Sequence, residues 1–211
     1  MRPIVDTQTK RSGPRGVQET MKHGFRSALP ALLGIIFVTS IAFAAPLKLD
    51  STHSKVGFTA ETLLFDVDGQ FGEYTVEVEG DKSKPANAKI KVTVKVASID
   101  TQNQKRDDHL RSPDFFDAEK HPTITFTSTS IRPKGNQLIV KGNLTMRGKT
   151  KPVTIPFKVA KGKNGAGVDT TTYKGKVTID RNDFGVGTDS VAAKISLEDE
   201  VELKLLVVTF D

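Results

Sequence analysis

Two aspartates and a histidine lie side by side in the segment DDHLRSPDFFDAEKHPTITF, residues 107–126. A carboxylate beside an imidazole can act as a general base or form one corner of a metal site. On a helix, however, neighbours such as Asp108 and His109 point in different directions. The chain also lacks cysteine and has no His-x-His or His-x-x-x-His spacing. We therefore predict no catalytic residue, no metal and no cofactor. A metal-dependent hydrolase is the least favoured alternative, and convergence of the histidines at one point of the fold would revive it.

Cations at predicted turns offer a second kind of chemistry. Arg147, Lys149 and Lys151 lie in or beside one turn, and Arg181 lies in IDRNDFG, where a strand meets a bend. Charge-assisted hydrogen bonds to a pyrophosphate or carboxylate are strong where water is partly excluded. Solvated lysines explain the same pattern more simply. For Arg181, a ligand-binding role and pairing with a neighbouring aspartate or an acid of the helical segment both stay open.

Alternation of apolar and polar residues with a period of two dominates the chain after residue 45. In AKIKVTVKV, residues 88–96, the apolar side chains fall on one face and three lysines fall on the other, which is typical of a half-buried strand. The same pattern recurs between turn signals such as Pro133-Lys134-Gly135-Asn136, and a glycine-rich bend at residues 69–72 separates the first two strands. The sequence predicts an all-β fold of eight antiparallel strands.

Eight such strands can form a sandwich or close into a barrel, and closure removes both exposed edges. The predicted interior consists mostly of valine, isoleucine and leucine, with no tryptophan to fill the centre. This composition favours an apolar cavity, although a solid core of the same residues stays open as an alternative. If there is a cavity, the residues that we expect to line it are Val56, Phe58, Val76, Val78, Ile90, Val92, Val94, Phe126, Val140, Leu144, Ile155, Phe157, Val177, Leu203 and Leu205.

One segment departs from the strand period. Residues 100–112, DTQNQKRDDHLRS, predict the only helix of the domain, with Asp100 or Thr101 as its N-cap. Phe115 and Phe116 follow it, where no strand would bury them. We expect this insertion to cover one end of the barrel as a lid or plug, with one phenylalanine as its anchor and the other facing the cavity or its entrance. The residues expected at the mouth or lid are Phe115, Phe116, Arg181 and Phe184.

Residues 1–20 have the features of an upstream extension before a functional start at Met21, and residues 21–44 have the features of a cleaved secretory signal. A basic region at residues 21–26 precedes an apolar run at residues 31–42, and Ala42-Phe43-Ala44 matches an A-x-A cleavage site. The run is shorter than the roughly 20 residues that a membrane-spanning helix needs. We therefore expect export to the periplasm and a single domain over residues 45–211.

Charge narrows the classes of partner. The leader holds six of the 31 lysine and arginine residues and two of the 25 acidic residues, which leaves the domain at +2. A nearly neutral domain without a basic helix gives no ground for nucleic-acid binding. Outward positions of the predicted strands are charged, as at Lys89 and Glu200, so we expect no stable membrane insertion. A homodimer is possible.

Four blocks of the sequence resemble the YceI-like family of secreted proteins. The most characteristic, DDHLRSPDFFDAEKHPTITFTS, is close to the family pattern D-x-H-L-[KR]-S-x-D-F-F-D-x-x-x-[YHF]-P-x-I-x-F-x-S. The others occur in the same order and spacing: DSTHSKVGFTAE at 50–61, GNLTMRGKTKPVTIPF at 142–157 and IDRNDFGVG at 179–187. The resemblance covers almost the whole chain from Leu47 onward.

This resemblance implies an extended eight-stranded antiparallel barrel, lipocalin-like, whose apolar tunnel takes a polyisoprenoid or a comparable long-chain amphiphile. It implies binding, with transport or storage, and no established catalysis. We therefore expect an exported, non-enzymatic protein that holds a polyisoprenoid, quinone-like or fatty-amide lipid. The alternative is a structural or adaptor barrel with a filled core.

Overall fold

The computed structural model describes residues 48–80 and 85–210, and its strands form one curled antiparallel sheet, which confirms the all-β prediction. The expected leader, residues 1–44, lies outside the described residues. The strands are β1 (Lys55–Thr62), β2 (Asp66–Phe71), β3 (Tyr74–Glu79), β4 (Lys89–Lys95), β5 (Ile99–Asp100), β6 (Thr123–Lys134), β7 (Gln137–Met146), β8 (Lys149–Lys163), β9 (Asp169–Asp180) and β10 (Leu197–Phe210).

The described residues contain ten strands, so the predicted count of eight is not confirmed. The sheet order is β3-β4-β6-β7-β8-β9-β10-β1-β2-β5. Only Gly72 and Glu73 separate β2 from β3, and a 3-10 helix at Val96–Ser98 separates β4 from β5. The Gly72 amide donates to the Ser98 carbonyl at 3.0 Å, and the Lys95 amide donates to the Glu73 carbonyl at 2.9 Å. These bonds continue the pairing across both breaks. They therefore bring together β3 and β5, the strands at the two ends of the sheet order.

Strand β2 was missed because its glycines predict a bend. Gly69 instead lies within the strand, directly opposite Phe58 of β1. A Cβ atom at Gly69 would lie 2.2 Å from Cζ of Phe58, because the phenylalanine ring lies across the glycine. Close approach of a neighbouring side chain is one of the reasons for a glycine inside a strand.

The predicted helix is α1 (Gln104–Arg111), and its N-cap is Asn103, whose side chain accepts from the Arg106 amide at 3.1 Å. The expected caps are wrong because the chain is still extended there: Asp100 ends β5, and the Thr101 amide donates to Asp107 at 2.9 Å. The domain also has a second helix, α2 (Val191–Ser196), so the prediction of a single helix is wrong. Six residues are too few for a clear helical period.

The segment after α1 closes one end of the curled sheet. Phe115 and Phe116 are both buried, at 7% and 9% exposure. The Phe116 ring meets Phe71 edge-on at a centroid distance of 6.1 Å, and Phe71 lies 5.9 Å from Phe58. We call this end, defined by these four phenylalanines, the closed end. Burial of both rings agrees with the expectation that the insertion covers an end of the barrel.

Candidate ligand-binding cavity

The curled sheet encloses a cavity of about 530 Å³. This volume lies within the range of roughly 300–1,000 Å³ that is typical of small-molecule sites. Its wall consists mainly of branched aliphatic side chains because the inward residues of most of the long strands carry the apolar half of the period-two pattern. The cavity therefore suits a ligand with a large apolar part.

The cavity opens at the end opposite the four phenylalanines. Lining residues that are also exposed mark the opening, and these are Gly80, Pro133, Gly135, Asn136 and Lys161. We call this end the open end. Along β10 the lining residues run inward from Thr209 through Val207 and Leu205 to Leu203, so the strand extends from the open end towards the closed end.

The register of β8, β9 and β10 arranges the interior in rows. Each row combines one residue from each strand at paired positions. From the open end inward, the rows are Lys161–Thr171–Thr209, Val159–Tyr173–Val207 and Phe157–Gly175–Leu205. The first row is polar and the third is apolar, so the polarity of the wall falls with depth.

All but two of the predicted lining residues lie on the cavity wall. Those on the wall are Val56, Val76, Val78, Ile90, Val92, Val94, Phe126, Val140, Leu144, Ile155, Phe157, Leu203 and Leu205. The exceptions are Phe58, which belongs to the closed end, and Val177, a half-buried residue that packs against the core. The alternation identifies the inward face correctly, but it does not say how deep the cavity reaches along each strand.

Several lining residues were missed because the prediction considered only apolar positions. Thr171 and Thr209 are buried on the wall, and Tyr173 and Lys161 line it as well. The sequence contains the information needed to find them, because Thr171 lies two residues before Tyr173 and therefore shares its inward face. Polar residues on the inward face of a strand are the feature that would have identified them.

Neither Phe115 nor Phe116 lines the cavity, so the expectation that one of them faces the cavity or its entrance is wrong. Phe115 packs edge-on against His109, with centroids 4.9 Å apart. A Cβ atom at Gly187 would lie 2.9 Å from the Phe115 ring, so this ring also contacts the loop after β9. The segment is a plug of the closed end because both rings are used in packing there.

Arg181 belongs to the closed end as well, since it follows the last residue of β9 whereas the first residues of that strand lie at the open end. Its guanidinium is buried and donates to Asp199 at 2.9 Å and to three backbone carbonyls at 3.0–3.3 Å. Arg181 therefore pairs with an acid, as one of the two alternatives had it, but that acid is neither a neighbouring aspartate nor an acid of the helical segment. Phe184, in the adjoining 3-10 helix at Arg181–Phe184, is 1% exposed and packs in the core. Of the two predicted places, mouth or lid, neither residue is at the mouth, and both lie at the closed end with the lid segment.

Two of the three cations at the β7–β8 turn, Arg147 and Lys151, have structural partners too. Arg147 donates to the Pro113 carbonyl at 2.7 Å and also to the Gly185 carbonyl, which ties the plug to the loop after β9. Lys151 pairs with Asp183 at 2.7 Å. These side chains hold the closed end together, so they are not placed to bind a ligand group at the opening.

The histidines have separate surroundings. His53 pairs with Asp50 at 2.8 Å, and this hydrogen bond lowers the pKa of the Asp50 carboxyl. His109 pairs with Asp114 at 3.1 Å, and His121 lies beside Gly148. Within residues 48–80 and 85–210, no group of three or more potential ligand side chains could hold a metal ion. No helix in those ranges is long and apolar enough to cross a membrane.

Comparison with known proteins places the chain in a family. A family model described as a YceI-like domain matches residues 47–209. A UPF0312 protein of Pseudomonas aeruginosa is 36% identical over 181 residues, which is 84% of this chain and 93% of the relative. The protein YceI of Salmonella newport is 35% identical over 171 residues, covering 79% of this chain and 90% of its own length.

Solved structures share the fold. Burkholderia cenocepacia BcnA superposes with a TM-score of 0.68 at 35% identity, over 76% of this chain and 99% of BcnA. A polyisoprenoid binding domain from Saccharophagus degradans, implicated in plant cell wall breakdown, superposes with a TM-score of 0.60 over 79% of this chain and 99% of that domain. Its identity is 13%, so it shows similarity of fold alone. From the match over residues 47–209 and relatives more than one third identical, the chain belongs to the YceI-like family.

Proposed function

We propose that this protein binds one long-chain apolar or amphipathic lipid inside the curled sheet, for transport or storage. The observation that carries the proposal is the cavity of about 530 Å³ with an apolar wall and one open end. Each Å² of apolar surface that leaves water on binding contributes roughly 25 cal/mol. A lipid chain that enters from the open end is therefore stabilised along the whole depth of the wall.

The ligand classes in this proposal are polyisoprenoids, lipids with a quinone-like head and fatty amides. Support for the first comes from the Saccharophagus degradans domain, a polyisoprenoid binding domain with the same fold. The apolar wall does not choose among them, since the hydrophobic effect follows buried area and is non-directional. The protein acts by binding in this proposal, and no chemical step is assigned to it.

The arrangement of the sheet supports a more specific description of the barrel. We infer that β2 with β3, and β4 with β5, each act as one interrupted strand, because hydrogen bonds join the pairs across the breaks. Counted in this way, the barrel has eight antiparallel strands and is lipocalin-like. The alternative function, an adaptor with a filled core, is less favoured because the interior leaves room for a ligand.

Export to the periplasm and a homodimer are parts of the same proposal. The sequence features of residues 1–44 support export, and cleavage after Ala44 predicts a mature chain that begins at Ala45. Intact-mass measurement of protein from the periplasmic fraction tests this expectation. Large apolar side chains stay exposed at Leu63, Leu64 and Phe65, which is a reason to test for a dimer. Sedimentation velocity gives that answer.

Native mass spectrometry of the purified protein tests the binding function directly. We expect one lipid per chain, released on extraction with organic solvent and identified by its mass. The delipidated protein should then take up one equivalent of an apolar fluorescent probe, and added lipid should displace it. A delipidated protein that stays folded and takes up neither probe nor lipid would contradict the proposal.

A further inference from the structure

Among the described residues that line the cavity, Lys161 is the only one with a charged side chain. It lies at the open end, near the end of β8, and is exposed. No acidic side chain of the described residues pairs with it. Its neighbour Lys163, by contrast, pairs with Asp169 at 2.7 Å. Lys161, which has no acidic partner among the described residues, therefore lies at the mouth of a mostly apolar cavity.

Polar residues of the adjacent strands extend the site around this lysine. Thr171 pairs with Lys161 across β8 and β9, and Thr209 pairs with Thr171 across β9 and β10. Both threonines are buried and line the cavity, at 3% and 1% exposure. The amide side chains of Asn136 and Gln137 lie at the same end of the lining. The open end thus combines one positive charge with several hydrogen-bonding groups.

The wall changes from polar to apolar within three rows. Successive inward residues of a strand are about 7 Å apart, because each residue rises about 3.3–3.4 Å. One step inward from Lys161 the wall has Val159, and a second step reaches Phe157. A bound amphiphile gains the most binding free energy when its head group lies in the first row and its chain lies deeper in the cavity. This gradient fixes the orientation of the ligand, with the head at the open end.

We propose that the ammonium group of Lys161 binds an anionic head group, a carboxylate or a phosphate monoester, of the lipid whose chain fills the cavity. This inference rests on the proposed function and adds the class of head group to it. A lysine ammonium is a point-charge donor, and its hydrogen bonds to an oxyanion are strengthened by charge. A neutral head group would gain nothing from the charge of Lys161, the one charged side chain among the described lining residues.

Matched amphiphiles test the inference. Palmitate, hexadecyl phosphate and hexadecanol share one chain and differ in the head group. Their affinities are measured on the delipidated full chain at low ionic strength by displacement of an apolar fluorescent probe. The variants are Lys161→Met, which keeps the apolar stem, Lys161→Arg, which keeps the charge, and Lys158→Met, a control on the outer face of the same strand.

In Lys161→Met we expect the affinities for palmitate and hexadecyl phosphate to fall about 3- to 10-fold, because charge-assisted hydrogen bonds at a partly exposed site are lost. Hexadecanol should bind unchanged. Lys161→Arg should retain the preference for the anions, and Lys158→Met should behave as the parent protein. Added salt should reduce the preference, since it screens an exposed charge. A larger loss for one anion than for the other identifies the preferred head group.

Three results would overturn the inference, and they are distinguishable. If hexadecanol binds but Lys161→Met leaves the ratio of anion to alcohol affinity unchanged, the head-group assignment is wrong and the lipid-binding function stands. If neither the probe nor any of the amphiphiles binds the folded parent protein, the proposed function itself is wrong. An equal loss in Lys161→Met and Lys158→Met would indicate a general surface-charge effect and would also refute the assignment.

Discussion

Gly175 and Gly69 allow one chemical change to be compared at two positions. Each glycine lies directly opposite a phenylalanine, Phe157 and Phe58 respectively. A Cβ atom at Gly175 would lie 2.7 Å from the Phe157 ring, and one at Gly69 would lie 2.2 Å from the Phe58 ring. Both rings must move when the glycine becomes alanine. Phe157 borders the cavity and has space to move into, whereas Phe58 is packed at the closed end.

The two substitutions should therefore have different costs. Overpacking without room to relax costs about 1–3 kcal/mol, and we expect Gly69→Ala near the upper end of that range. For a domain of this size, each kcal/mol lowers Tm by about 2–4 °C, so the expected fall is about 6–12 °C. Gly175→Ala should cost about 1 kcal/mol or less, because its displaced ring enters empty space and alanine suits a strand better than glycine.

The affinity for ligand should fall in Gly175→Ala and not in Gly69→Ala, which is the opposite of the order expected for stability. A Phe157 ring that moves into the cavity covers about 50–80 Å² of wall that the lipid would otherwise bury, which is worth about 1–2 kcal/mol. The affinity of Gly175→Ala for the apolar probe should then fall about 5- to 30-fold. Gly69→Ala should bind as tightly as the parent protein at temperatures where it is folded.

Thermal unfolding and probe titration of both variants give the two readouts. Equal losses of affinity in the two variants, or a larger fall of Tm in Gly175→Ala than in Gly69→Ala, would refute this account of the interior. Either result would mean that the space beside Phe157 does not hold the ligand.

Four further changes test other parts of the structure. Val92→Phe should weaken lipid uptake about tenfold because Val92 lines the cavity, whereas Thr93→Phe on the outer face should not, as probe titration will show. Phe116→Ala should cost about 3–5 kcal/mol of unfolding free energy in denaturant titrations and leave the ligand off-rate unchanged, because this ring plugs the closed end. Arg181→Met should lower the free energy of unfolding by about 3 kcal/mol in the same assay, since three carbonyls and an aspartate lose their buried donor. The preference for lipids with anionic head groups should persist in this variant. The pKa of Asp108 lies below its usual 3.8 because of a hydrogen bond from an arginine on α1. The stability that this carboxylate contributes is therefore present above pH 3.8 and is lost as the pH falls through the lowered pKa. Asp108→Asn should make the acid side of a Tm–pH profile less steep.

The period-two pattern determined the fold class and the inward face by itself. Alternation is a local property of an extended chain, because successive side chains point to opposite sides. For that reason the sequence identifies Val92, Val140 and Leu205 as inward residues without any knowledge of their neighbours. Two prolines and a pair of adjacent phenylalanines likewise mark the segment after α1 as something other than a strand.

The tertiary structure decided how deep in the curled sheet each residue lies. That position depends on the register between strands, which pairing across the sheet sets and which no single strand encodes. Register places Arg181 at the closed end and Lys161 at the open end, although both are cations near the end of a strand. It also makes Gly69 part of a strand, because the space that its missing side chain leaves is filled by the ring of Phe58, eleven residues earlier in the chain.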